Sequence, residues 1–330
     1  MSVDIPWFED FERGQDFSAV PAVTITAGHT AIHQAMFGDR FPLPLSEPLC
    51  QQVTGEKGCL VNASLVCNLA IGQTTIPSQR VMGNLFYRGL VLKSPVYVGD
   101  TLSTRTTVVG LRQNSLKPGR EASGMVALEM HVTNQRAETV LLFWRCPMIP
   151  CRDPAAQTGH ADDFGFMPSE ISLADLSAAV PDWKYEVYRD QVRGRHFADL
   201  RIGEQARVES RDTVTLAPEL VRMTLNMAMT HTDATRSVYN RRLVYGGHTI
   251  SMVASHLSRQ FPAMMTILGW FHCDHVAPVF EEDIIETEVV IADKLPQANG
   301  GIVVLQVNGF ALRDEERVKV LDWKLAALFA

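Results

Sequence analysis

No cysteine of this chain stands in a CxxC pair; the six, Cys50, Cys59, Cys67, Cys146, Cys151 and Cys273, are scattered. That spacing argues against a zinc ribbon and against a disulfide framework, and it reads as mostly reduced, buried thiols. Basic blocks are missing as well. With 30 Lys and Arg against 37 Asp and Glu the net charge is −7, so neither a nucleic-acid surface nor an anionic-membrane surface is expected. No run approaches the ~18 apolar residues of a membrane span. The opening MSVDIPWFEDFERG lacks the basic, apolar, small-residue succession of a leader, which makes a cytoplasmic location the expectation. What remains is an ordinary globular composition, 46% hydrophobic and 20% charged. At 330 residues the chain exceeds what one core usually organises, so two domains of roughly 150 residues are expected.

The two halves repeat one plan at an offset of roughly 185 to 190 residues. Phe8-Glu9-Asp10-Phe11-Glu12-Arg13-Gly14 answers to Phe197-Ala198-Asp199-Leu200-Arg201-Ile202-Gly203, and Val23-Thr24-Ile25-Thr26 to Val214-Thr215-Leu216-Ala217. An apolar helix follows in each half, over 63–76 and 247–261, stopped by Pro77 and Pro262. Pro95 to Asp100 answers to Pro278 to Asp283, and each leads into an alternating run, 101–109 and 284–292. Period-two alternation of this length predicts half-buried antiparallel strand. Further strands are expected at 86–90, 124–132, 140–147, 270–274, 301–310 and 318–327. One long apolar helix and four or five antiparallel strands per half suggest a sheet wrapped around the helix. Residues 152–183, rich in Ala, Asp, Ser, Gly and Pro, read as a linker with a short surface helix over 171–180. The expected organisation is therefore a first repeat at 1–151, a linker at 152–190 and a second repeat at 191–330.

The chemistry concentrates in the second repeat. Arg241-Arg242-Leu243-Val244-Tyr245-Gly246-Gly247-His248 places two glycines at the start of an apolar helix, where bare backbone N–H groups can meet an oxygen that becomes negative. Upstream, His231 offers a side chain that titrates near neutrality, flanked by Asn226 and Asp233. Asn226 and His231 would lie about 140° apart on a continuous helix, so they converge only if the helix ends between them. His272-Cys273-Asp274-His275 has the composition of a metal site, but in a strand these residues alternate between faces and do not converge. Asp39 reads as a turn residue, or as part of a lid over the other repeat's site.

Tandem helices wrapped by antiparallel sheet look like the α+β double hot-dog architecture, and the central residues resemble the MaoC-like (R)-specific enoyl-CoA hydratase family. His231 falls on that family's histidine, Asn226 on its catalytic acid, and Gly246-Gly247 on its His-Gly pair. A narrower resemblance is to the mesaconyl-CoA hydratase (2-methylmalyl-CoA dehydratase) group. It is carried by Gly99-Asp100-Thr101-Leu102-Ser103-Thr104, by Val109-Gly110-Leu111-Arg112-Gln113-Asn114, by Arg241 to Ser251 and by Phe37-Gly38-Asp39-Arg40-Phe41.

The resemblance implies reversible hydration of a branched or carboxylated 2-enoyl-CoA. Coenzyme A is then the substrate carrier, and no metal or redox cofactor is needed. His231, Asn226, Gly247 and Asp233 are the expected catalytic set; Gly246, Tyr245, Arg241, Arg242 and His248 are the expected binding set. Asn226 departs from the family's acid, leaving His231 alone, His231 with Asp233, or an inactive copy. The first repeat has Val61-Asn62 where the second has the glycines, so it is expected to shape the cavity rather than to catalyse. A homodimer is expected from open sheet edges. A hot-dog thioesterase and a catalytically silent acyl-CoA binding subunit are the alternatives.

Overall fold

The computed structural model describes residues 5–117, 119–168 and 170–330. The first repeat runs β1 (Val23–Thr24), α1 (Ala27–Phe37), α2 (Pro42–Leu45), α3 (Glu47–Thr54), α4 (Ala63–Gln73), β2 (Gly83–Leu92), β3 (Thr101–Gln113), β4 (Ser123–Thr133) and β5 (Thr139–Pro150). The connection holds α5 (Leu173–Ala178) and α6 (Tyr185–Gln191). The second repeat runs β6 (Gln205–Arg207), β7 (Asp212–Thr213), α7 (Ala217–Met223), α8 (Gly246–Gln260), β8 (Met264–His275), β9 (Ile284–Gln297), β10 (Gly300–Arg313) and β11 (Glu316–Phe329).

All eleven strands form one antiparallel sheet in the order β1-β3-β4-β5-β2-β8-β11-β10-β9-β6, with β7 also on β9. The two hot-dogs meet at β2 and β8, where Tyr87 pairs with Cys273 and Leu90 with Trp270. Each half of the sheet wraps its own helix. Every residue of α4 is buried, as an all-round apolar helix must be. The two helices also touch each other: Asn68 Nδ2 of α4 donates to Ser251 Oγ (2.9 Å) and to the Gly247 carbonyl (3.3 Å) of α8.

The internal repeat is visible in its details. Each half opens with a 3-10 turn whose phenylalanine lies over a strand glycine. A Cβ added at Gly124 would sit 2.1 Å from Phe8, and one at Gly301 2.2 Å from Phe197. Each half also has an aspartate turn, in which Asp100 accepts from the Tyr97 N–H and Asp283 from the Phe280 N–H, both at 2.8 Å.

The connection differs from an exposed linker. Ile171, Leu176, Trp183, Tyr185 and Tyr188 are buried against Met265, Leu268, Phe271, Ile302 and Val304 on the sheet's outer face. Those strand residues make both faces of the central strands apolar, and an uncovered apolar face of that size would be left to water.

Candidate active site

The site forms where the chain passes from α7 to α8. Helix α7 ends at Met223, Leu225 takes a left-handed backbone (φ 58°), and a 3-10 turn follows at Met229–His231. The helix thus stops before Asn226, which frees Asn226 and His231 to face one space. That space is a cleft of about 230 Å3 lined by Asn226, His231, Tyr245, Gly246, Thr249 and His275 of the second repeat. Ile71, Thr75, Ser78, Val81, Tyr87 and Arg145 of the first repeat close its other wall.

His231 is anchored through one ring nitrogen. Its Nδ1 lies 2.8 Å from the Leu243 carbonyl, which can only accept, so Nδ1 carries the proton and Nε2 keeps its lone pair. Burial lowers its pKa to about 4, partly offset by that hydrogen bond, and the ring is neutral at pH 7. Asn226 is fixed by an Asx turn, with Oδ1 accepting from the Ala228 N–H at 2.9 Å, so its NH2 is the end left to meet a ligand.

The helix mouth distinguishes the two repeats. In α4 the side chain of Asn62 caps the helix, accepting from the Ser64 N–H at 2.8 Å. At α8 the N-cap is Tyr245 and no side chain makes a cap, so the first N–H groups, on Gly246 and Gly247, stay open. Gly246 lines the cleft, whereas Gly247 is buried; a Cβ at Gly247 would lie 1.9 Å from Asn68 Oδ1. Bare backbone is needed at both positions, at Gly247 for helix contact and at Gly246 for the cleft.

Several expected residues lie elsewhere. Asp233 is exposed and caps the 3-10 turn Ala234–Arg236, accepting from Thr235 N and Oγ1 at 2.9 and 2.7 Å, so it is a capping residue outside the cleft. His248 is buried in the core: its Nε2 bonds the Thr215 carbonyl at 2.8 Å and its ring packs on Phe37, so it has no ligand-binding position. Arg241 and Arg242 line a separate open groove with Asp233, where Arg241 stacks on Phe280 (3.9 Å) and Arg242 pairs with Glu281. Tyr245 does line the cleft, its ring 5.5 Å from that of His231 and its hydroxyl buried without a partner.

Two residues escaped the sequence reading. His275 lines the cleft with a buried, unpartnered Nε2 that would be 2.4 Å from a Cβ on Gly246, and burial lowers its pKa to about 4. The alternation that argued against a metal did put Cys273 and His275 on one face, but nothing local said that this face is the inner one. His272 and Asp274 turn the other way, to Asp322 and Arg88 at 2.9 Å each. The second missed residue, Arg145, comes from the other repeat.

No family model matches the chain. The beta-methylmalyl-CoA dehydratase of Chloroflexus aurantiacus is 31% identical over 328 residues, a stretch covering 93% of this chain and 88% of that protein. This chain belongs to the MaoC-like dehydratase family. The mesaconyl-CoA hydratase of Cereibacter sphaeroides is 28% identical, covering 93% of this chain and 89% of its own length. Among solved structures, Rv0216 of Mycobacterium tuberculosis, a conserved hypothetical protein described as a double hot-dog, superposes with a TM-score of 0.91 at 40% identity, covering 99% of both chains. Among the described residues no helix is long and apolar enough to cross a membrane.

Proposed function

We propose that the chain is a hydro-lyase that reversibly hydrates a 2-enoyl-CoA whose acyl group is branched or carboxylated, of the mesaconyl-CoA/2-methylmalyl-CoA type. The observation that carries this reading is a neutral, carbonyl-anchored His231 in one cleft with the uncapped start of α8. The thioester oxygen is placed at the N–H groups of Gly246 and Gly247, which stabilise the enolate that forms as water adds to the β-carbon. His231 Nε2 takes a proton from that water and returns it to the α-carbon, so that H and OH are added with no net proton change. The Asn226 NH2 orients the water, and coenzyme A phosphates are assigned to Arg241 and Arg242 in the neighbouring open groove. Both curated relatives are named for this reaction type, which supports a hydratase over a thioesterase or a silent binding subunit. No metal or redox group enters these steps.

A cytoplasmic location goes with this reading. The homodimer has less to rest on than the sequence suggested, because the edges that hot-dogs pair between subunits are joined here within one chain, β2 to β8. The reaction assay is direct: the protein is mixed with mesaconyl-CoA, and enoyl absorbance and free thiol are followed together. Loss of absorbance without thiol is expected. Thiol release would make the protein a thioesterase, and no change in either signal would make it a binding subunit.

A further inference from the structure

Arg145, on β5 of the first repeat, is the one buried arginine among the described residues, 3% exposed, and it lines the cleft with His231, Asn226 and Gly246. Its Nη2 donates to the Thr74 carbonyl and to Ser78 Oγ, both at 2.7 Å. Its Nε is buried with no acceptor, and no carboxylate of the described residues pairs with it. Elsewhere this chain does pair charges at such sites. Buried Glu286 is met by Arg207, Arg211 and Arg317, and buried Asp283 by Arg313 at 2.8 Å. A guanidinium stays charged in proteins, and one buried without an anion is costly, so an unpaired one in a cleft is suited to an anion that arrives from outside. The groups around it add donors and no negative charge. Burial pushes the Tyr87 and Tyr245 hydroxyls far up, so both remain neutral, and the Tyr245 hydroxyl is itself buried and unpartnered. The Arg145 Nε–H and the Tyr245 hydroxyl thus remain as unpartnered donors on the wall of one cleft, open to a small anion. Ile71, Val81, Val244 and Val279 add an apolar part to this wall, which suits a short acyl chain.

We infer that Arg145, assisted by the Tyr245 hydroxyl, binds the free carboxylate at the far end of the acyl chain and selects dicarboxylic acyl-CoA esters over uncharged ones. This deepens the hydratase reading above and rests on it. It also assigns a role to the first repeat, which supplies the cation that the catalytic repeat lacks in this cleft.

The test has two arms. In the first, kcat/KM of wild type and of Arg145→Met is measured on mesaconyl-CoA and on crotonyl-CoA. Losing one partner of a buried charge pair should lower the mesaconyl-to-crotonyl ratio by roughly 10²- to 10³-fold; an unchanged ratio overturns the inference. The second arm needs neither variant nor turnover: wild-type protein is titrated calorimetrically with succinyl-CoA and with butyryl-CoA, which differ in the terminal carboxylate and cannot be hydrated. At least tenfold tighter binding of succinyl-CoA is expected, and equal affinities overturn the inference. Wild type that hydrates neither enoyl ester but prefers succinyl-CoA would refute the hydratase reading and leave the carboxylate site standing.

Discussion

At the scale of single residues, the cleft pairs one base with one unpaired cation, and the amide at Asn226 follows from that pairing. An acid in its place would put a second negative charge beside an incoming carboxylate, and two charges about 4 Å apart at an effective dielectric near 20 repel by roughly 4 kcal/mol. It would also offer Arg145 an internal anion in competition with the substrate. Asn226→Asp is therefore expected to lower kcat/KM for mesaconyl-CoA while sparing or raising it for crotonyl-CoA; equal proportional changes on the two would remove this account of the amide. His231→Ala should lower kcat by about 10²- to 10⁴-fold with little change in substrate affinity. The pH profile offers a sharper check. Because burial holds the His231 pKa near 4, the imidazole stays unprotonated well below neutrality. The acid limb of kcat/KM should fall near pH 4, and a limb near 6.5, where a solvated histidine titrates, would mean that a different base is at work.

At the scale of elements, the start of α8 serves two purposes through two adjacent glycines. A methyl at Gly246 would meet the His275 ring, with Nε2 at 2.4 Å, and a methyl at Gly247 would meet Asn68 and Tyr245. Gly246→Ala should mainly cost activity, on the order of 10²- to 10³-fold in kcat, the loss typical of an oxyanion donor displaced from its place. Gly247→Ala should mainly cost stability through the α4–α8 contact, by about 1–3 kcal/mol as for other overpacked cores. Kinetics and urea melts on the two proteins separate the effects, and matching profiles would count against this division. Gly72 on α4 is a third such position: its Cβ would lie 1.7 Å from the Thr224 backbone carbonyl, which places α7, and with it Asn226, against the first repeat. The loop that carries Asn226 and His231 is thus seated on the other repeat's central helix.

At the scale of the whole molecule, three histidines held neutral in the interior tie stability to pH. His231, His248 and His275 each have a pKa lowered to about 4, in every case chiefly by burial, from the ordinary histidine value of 6.5. Between those values the unfolded chain binds the protons that the native chain refuses. Stability from these groups is therefore complete above about pH 6.5 and is lost as pH falls toward 4, by up to roughly 4 kcal/mol per pH unit for three such groups. The urea midpoint should drop steeply from pH 6.5 to 5, and a midpoint that is flat over that window would show these rings to be hydrated. The sheet-wide union through β2 and β8 should make the two repeats unfold together, as a single transition by both tryptophan fluorescence and circular dichroism.

Most of the architecture was legible in residue order, because it rests on local regularities. Period-two alternation marked the strands, prolines ended both central helices, and paired turns such as Pro95 to Asp100 and Pro278 to Asp283 exposed the repeat. Adjacent glycines before an apolar helix, with a histidine upstream, were enough to find the helix mouth and the histidine that shares its cleft. Tertiary structure alone decided which residues share the cleft. Asp233 and His248 are near His231 in sequence, yet one caps a surface turn and the other turns into the core, and nothing local signals either direction. His275 and Arg145 are distant in sequence and enter the site only because β8 and β5 turn particular faces inward and β2 joins the two half-sheets. A charge that waits for its partner in the substrate leaves no local pattern; it is recognised only when every neighbour of the buried guanidinium is known and none is an anion.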